Sequence, residues 1–445
     1  MSFDSEQEIP KLCMLVQDVL QQALQYGATT AEAGLSIDQG LSVTARMGTV
    51  ETIEFHRDQG LGVTVYIGQR KGSASSTDLS AASLREAVAS ACSIARYASE
   101  DDCAGLPDPA LLAKVFPDLS LHHAWDLTPQ HAIEQAVMCE DAARQYDSAI
   151  TNSEGATLTS HQGLRVFGNS LGFLHGFSAT RHSLSCAVIG QRDDSMQRDY
   201  WYSVARHPQN LDLPAVVGQR AAQRALRRLG ARSLTTRRCP VVFEAEVAAS
   251  LFGAFINAIS GGSLYRKSSF LLDSLGTQVF PSWMHIYEQP HLPCALGSAS
   301  YDAEGVATTA RDIVSEGIVR SYVLSSYSAR KLGMMTTGNA GGVHNLTIDS
   351  GEMDLPAILR EMQCGLLVTE LMGQGVNRVT GDYSRGAAGF WVENGEIQFP
   401  VEEITIAGNL KNMFQHIVAV GNDVDLRGNI RCGSVWVAEM SVAGN

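Results

Sequence analysis

The sequence predicts an α+β chain in two parts, with antiparallel sheets and flanking helices in the first and a glycine-rich, mainly antiparallel β second part. Three observations point there. Short alternating segments at 31–37, 41–46, 50–56 and 61–66 are separated by Gly40, Gly48 and Gly60 and followed by Gly68, the spacing of an antiparallel meander. Stretches with apolar residues at helical spacing lie on both sides of them. Beyond Cys239 glycine is dense, charge is sparse and strands dominate.

A first helix is expected at 6–26, with Ser5 as its cap and Gly27 as its stop. Ser80 opens a second helix through Leu84, Val88, Ala91, Ile94 and Ala95. The stretch 101–117 carries three prolines and reads as a connection. Thr128 before Pro129 starts a third helix, reaching about Tyr146. Strands return at 164–167, 172–179, 183–189 and 200–205, and a basic helix at 213–229 is closed by Gly230. In the second part, Asn394-Gly395 between two apolar runs is a hairpin signal, and Glu316-Gly317 suggests another. The domains expected are 1–235, with possible subdomains at about 1–100 and 125–235, and 236–445. No internal repeat of fixed period is expected.

A chain of 445 residues calls for two or three domains. With 33 basic and 47 acidic residues the net charge is −14, which makes nucleic acid an unlikely partner. The first 27 residues mix charged and apolar types and do not form a signal peptide. No run approaches the ~20 apolar residues that cross a bilayer. Nine cysteines, an odd number with no Cys-x-x-Cys, suit reduced thiols in a cytoplasm.

Gly168-Asn-Ser170-Leu-Gly172 fits a nucleophile elbow, but that motif needs a helix after it and the following residues read as a strand, so a hairpin turn is expected. Asn345-Leu-Thr347 is a chance glycosylation match. Arg220, Arg224, Arg227, Arg228, Arg232, Arg237 and Arg238 form a basic stripe, read either as a solvated helix face or as a docking surface. A zinc peptidase helix needs two histidines one turn apart with a glutamate nearby. The twelve histidines offer no such pair: His122 with His123, His175 with His182, and His285 with His291 are wrongly spaced. No phosphate-binding glycine loop of the nucleotide-cofactor type occurs.

Several long segments are distinctive. Gly261-Gly-Ser-Leu-Tyr-Arg-Lys-Ser-Ser-Phe270 and Ser325-Ser-Tyr-Ser-Ala-Arg-Lys-Leu-Gly333 are two of them. Val368-Thr-Glu-Leu-Met-Gly-Gln-Gly375, Gly381-Asp-Tyr-Ser-Arg-Gly386 and Ile404-Thr-Ile-Ala-Gly-Asn-Leu410 follow, with Val420-Gly-Asn-Asp423 and, in the first part, Arg70-Lys-Gly-Ser73 and Ile94-Ala-Arg-Tyr97. Together they resemble the PmbA (TldE) branch of the TldD/PmbA metalloprotease family over nearly the whole chain.

The resemblance implies a two-part α+β subunit that pairs with a TldD-type partner in a zinc-dependent peptidase acting on small unfolded proteins and on leader segments of modified peptides. The family's catalytic branch carries His-Glu-x-x-x-His on a helix and a later Cys-Gly. Those helix positions are here Gly253, Ala254, Phe255, Ile256, Asn257 and Ala258, while Cys432-Gly433 matches the cysteine. The expectation is therefore a degenerate motif at Gly253, Ala254, Ala258 and Cys432, no catalytic or metal-binding residue and no cofactor in this chain, with zinc in the partner. Arg266, Lys267, Asp382, Tyr383 and Arg385 are the candidates for the wall of a shared substrate chamber, and a homodimer is possible when the partner is missing. Two alternatives stay open: an independent metallopeptidase with ligands from scattered segments, and a regulator that binds protein or nucleic acid through the arginine stripe.

Overall fold

The computed structural model describes residues 5–444. The first helix, α1 (Ser5–Gln25), ends at Gly27, whose φ of +94° suits a glycine stop; the cap expected at Ser5 lies outside the described side chains. Then come β1 (Thr30–Arg46), β2 (Thr49–Ile67), β3 (Arg70–Ser76) and α2 (Ala81–Tyr97). After the connection follow α3 (Pro129–Arg144), β4 (Ile150–Asn169), β5 (Leu174–Arg192), β6 (Ser195–Ala205) and α4 (Pro214–Arg227). Ser80 and Thr128 cap their helices by accepting from the Ser83 and His131 amides.

These six strands form one antiparallel sheet in the order β3-β2-β1-β4-β5-β6. Alternate residues of β1 are buried, and Ala33, Leu35, Ile37, Leu41 and Val43 face the helices. One half of that face packs on α1 and α2, the other on α3 and α4. The opposite face is polar: the Ser42 and Thr44 hydroxyls bond those of Thr159 and Thr157 at 3.3 and 2.9 Å, and Arg165 meets Asp38 at 2.8 Å.

The structure corrects two expectations. The glycines inside the strands are not breaks, so four short segments are two long strands. Gly40 pairs with His56 on one side and His161 on the other, and a Cβ there would fall 2.4 and 2.5 Å from their rings. The backbone runs on because a glycine lets the two imidazoles meet at 2.9 Å.

The second correction is an internal duplication. The order helix, three strands, helix occurs twice, and β4 repeats β1 at an offset of 123 residues: Gln39-Gly40-Leu41 corresponds to Gln162-Gly163-Leu164 (162 − 39 = 123). The pairing Ser36 with Gly60 becomes Thr159 with Ser183, and Ala33 with Val63 becomes Ala156 with Cys186. Gln39 pairs with Gln162, so a pseudo-two-fold axis passes between them.

The second part begins with β7 (Arg237–Phe243), α5 (Ala245–Ala258), α6 (Gly261–Tyr265), β8 (Ile286–Glu288), β9 (Arg311–Ser315) and β10 (Ile318–Val319). It continues through α7 (Ser326–Lys331), β11 (Leu346–Ile348), α8 (Leu355–Met362), β12 (Gly365–Met372), β13 (Asp382–Glu393) and β14 (Glu396–Asn409). It ends with α9 (Leu410–Gln415), β15 (Ile417–Val420), β16 (Ile430–Arg431) and β17 (Val435–Ala443). The main sheet runs β14-β13-β12-β7-β17-β15, and β14 pairs with β17 as well, so it curls closed. A smaller sheet runs β10-β9-β8-β11-β16. Asn394 and Gly395 take φ of +53° and +74°, the backbone of a tight two-residue hairpin turn. Among the described residues no helix is long and apolar enough to cross a membrane.

Candidate functional site

The helix that stands where the metal motif would be, α5, leaves the end of β7 in the middle of the main sheet. Leu251, Phe252, Phe255, Ala258 and Ile259 bury one face of it among Phe280 and Phe414. Phe255 meets Phe280 edge-to-face at 4.9 Å. On the other face lie Ser250, Gly253, Ala254 and Asn257, partly or fully exposed. Ala254 and Ala258 end in a methyl, and a Cβ on Gly253 would meet only Ile430, at 3.7 Å. None of the three positions carries a donor atom.

Cys432 lies at the far end of the same helix. Its sulfur is buried 3.9 Å from the carbonyl of Ala245, the first helical residue, while Gly253 is eight residues further on, about 12 Å along the axis. Burial, reinforced by Asp425 and Asp423, pushes its thiol well above the usual range. An enclosed thiol packs as a small apolar group. Among the described residues no three His, Cys, Asp or Glu side chains converge to hold an ion, so these residues do not fit a zinc ion. One consequence is chemical: a water-soluble disulfide reagent is expected to label the exposed Cys364 in the folded chain and to reach Cys432 only on unfolding. Mass mapping of the labelled native protein checks this, and native labelling of Cys432 would contradict it.

The five chamber candidates separate. Arg266 and Lys267 are exposed just past α6, with the Arg266 guanidinium 2.9 Å from the Tyr265 hydroxyl. Asp382 is exposed at the start of β13, where hydrogen bonds from Thr380 and Asn409 hold its carboxyl below the ordinary value. Phe270 ties the two segments together: its amide donates to the Arg378 carbonyl, and its ring abuts Gly381. Tyr383 is 2% exposed, in the core, and burial pushes its phenol up to about 12. Arg385 lines a different surface, a cleft of about 370 Å³ between the two parts.

That cleft takes in Arg224 and Arg228 of the arginine stripe. Arg224 is 11% exposed and meets Glu246 at 2.6 Å, Asp199 at 3.2 Å and Glu244 at 3.6 Å. Arg228 joins Glu370 at 2.6 Å and Asp199 at 3.5 Å. Arg427, from the loop before β16, reaches Glu246 at 2.6 Å and Asp425 at 2.9 Å. Arg220 and Arg427 sandwich Trp201 at 4.0 and 4.1 Å from its ring centre. Arg227, Arg232 and Arg237 lie over Phe390, Phe399 and Trp391. Arg220, Arg232 and Arg238 are exposed among the seven, and of these Arg238 pairs with Glu439. Arg224 and Arg228 are spent on carboxylates at the junction of the two parts, and Arg220, Arg227, Arg232 and Arg237 lie against aromatic rings. Asp199, Glu246 and Arg427, which complete the network, carry no local sequence signal.

Ser170 lies in the turn between β4 and β5, its hydroxyl accepting from the Ala31 amide at 2.9 Å, as a hairpin turn requires. The histidine pairs stay separate. His285 is held between Asp312 and Asp349 at 2.8 and 2.9 Å, and His182 between the Ser160 hydroxyl and the His123 carbonyl.

Comparison with known proteins gives the family. Its descriptions match in three consecutive pieces: PmbA/TldA metallopeptidase domain 1 over 31–95, the central domain over 122–229 and the C-terminal domain over 236–444. The chain is 54% identical to the metalloprotease PmbA of Escherichia coli O157:H7 over 97% of its length and 96% of the relative's. It is 22% identical to a metalloprotease TldD homolog of Haemophilus influenzae over 89% of this chain and 86% of that one. A crystal structure described as a putative modulator of DNA gyrase from Bacteroides thetaiotaomicron superposes with a TM-score of 0.93 at 28% identity, covering both chains in full. TldE from Thermococcus kodakarensis shares the fold, with a TM-score of 0.85 at 20% identity over 97% of this chain and 100% of that one. The chain belongs to the PmbA/TldA metallopeptidase family.

Proposed function

We propose that this chain is the PmbA/TldE-type, non-catalytic subunit of a TldD/PmbA zinc peptidase, working in the cytoplasm with a TldD-type partner that holds the metal. The observation that carries the reading is the helix α5: its three motif positions end in hydrogen or methyl, and Cys432 is packed away at its other end. A metal-activated water needs at least three fixed ligands, and this helix supplies none. The chain's part is then to shape the chamber in which an unstructured peptide lies extended. The exposed Arg266, Lys267 and Asp382 beside the Gly381 turn, and Arg385 in the junction cleft, are the groups proposed to line it. Tyr383 drops out of that set because it is buried. Small unfolded proteins and leader segments of modified peptides are the proposed substrates, both supplying exposed backbone.

The test is cleavage of an unstructured peptide by the purified chain, by a TldD-type subunit from the same genome, and by the two together. The reading expects no cleavage by this chain alone and cleavage by the mixture. A mixture no more active than the TldD-type subunit alone would overturn it.

A further inference from the structure

The helix-side face of β1 and β4 is apolar except at its centre, where two neighbouring rows of residues cross the sheet. One row runs Arg57, Gln39, Gln162, Thr180. The next runs Phe55, Leu41, Ser160, His182. Ile37 and Leu164 belong to the core under α1 and α2, and Leu41 and Leu158 to the core under α3 and α4. Gln39 and Gln162, on the pseudo-two-fold axis, belong to neither. The two helix pairs leave a gap above that axis, and a pocket of about 410 Å³ fills it, with no described residue of the four helices in its wall.

The connection before α3 roofs this pocket. The His123 amide donates to the Thr180 hydroxyl and the Thr180 amide to the Leu121 carbonyl, both at 2.9 Å, which pins the segment to β5. Trp125 then stands edge-on to His182, with ring centres 5.4 Å apart, and Leu127 also lines the pocket. The His182 Nε2 donates to the His123 carbonyl at 3.0 Å, so its Nδ1 accepts from the Ser160 hydroxyl at 2.9 Å. Burial lowers the pKa of this imidazole, which is therefore neutral at neutral pH.

Arg57 is the one fixed charge on the pocket wall, and among the described residues no aspartate or glutamate lines it, in a chain whose net charge is −14. A cationic ligand would meet a guanidinium and no counter-charge. A carboxylate would meet a planar fork that can hold it with two parallel hydrogen bonds. Trp125 and Phe55 offer aromatic contact, and Leu41 and Leu127 offer apolar contact. The volume lies in the range of small-molecule sites, which pair apolar walls with a few placed polar groups. We propose that this pocket binds an aromatic group bearing a carboxylate, with the ring against Trp125 and the carboxylate on Arg57. Every lining residue belongs to the first part, so the site is separate from α5 and does not depend on the subunit reading above.

Calorimetric titration of the purified chain with phenylpropionate tests this. The expected result is one site per chain, weakened at least about tenfold by Arg57→Gln and by Trp125→Ala. Arg192→Gln, at an exposed position at the end of β5, should leave it unchanged. The uncharged amide of the same compound should bind at least about tenfold more weakly. A peptide ending in phenylalanine, with its carboxyl free or amidated, separates the two sources of this chemistry. Tighter binding of the free-carboxyl peptide than of the small acid supports a chain end as the ligand, and weaker binding supports a small acid. No binding of acid or peptide up to about 10 mM would overturn the proposal. Equal binding of acid and amide, or binding that neither pocket variant weakens, would overturn it as well. Should Trp125→Ala fail to fold, hydrogen exchange at 122–127 of the unmodified chain decides: the acid should slow it, and unchanged exchange at saturation would place the ligand elsewhere.

Discussion

Arg224→Ala is expected to cost the chain about 3–5 kcal/mol of stability, the range for removing one partner from a buried ion-pair network. Its guanidinium reaches Asp199, Glu246 and Glu244 from a site 11% exposed, and Asp199 is itself 5% exposed. The alanine variant leaves these carboxylates in the junction with less than their full complement of charge. Arg427 and Arg228 still touch Glu246 and Asp199, which keeps the loss from being larger. Arg238→Ala is the internal control. That side chain is 72% exposed against a Glu439 that is 57% exposed, so its loss should stay within about 0.5 kcal/mol. Urea midpoints of the two variants check both numbers. Equal effects would mean that the junction network is as solvated as the surface pair.

Phe255→Ala should cost about 3–5 kcal/mol as well, for a different reason. Phe255 is completely buried in α5, with Phe280 at 4.9 Å and Phe414 at 5.9 Å. Truncation leaves a cavity among rigid rings that cannot collapse to fill it. The measurement is again the urea midpoint. A loss under about 1 kcal/mol would show that α5 is loosely held, and so poorly suited to be the scaffold that remains after the ligands are lost.

Much of the fold was legible because local chemistry dictated it. Ser80 and Thr128 cap their helices, and Asn394-Gly395 turns its hairpin, each through a backbone geometry that few residue types allow. The strand lengths were not legible, since Gly40 reads as a break until His56 and His161 are seen closing over it. The duplication is nearly silent in the sequence: Gln-Gly-Leu recurs, but most paired positions require only a small or apolar side chain on the correct face. The arginine stripe was visible as residues and invisible as a network, because its partners arrive from β6, from the start of α5 and from the loop before β16. At the candidate site the same limit separated Tyr383 from its neighbours. Burial on a strand depends on which face meets the core, and alternation alone put Asp382 outside and Tyr383 inside.

The central claim is that this chain carries the family's scaffold without its metal, and the zinc content of the purified chain, after passage through buffer containing no chelator, tests it most directly. The account predicts substoichiometric zinc in the chain alone and one equivalent per pair in its complex with a TldD-type subunit. One equivalent of tightly held zinc in the chain alone, with peptide cleavage that a chelator abolishes, would contradict it.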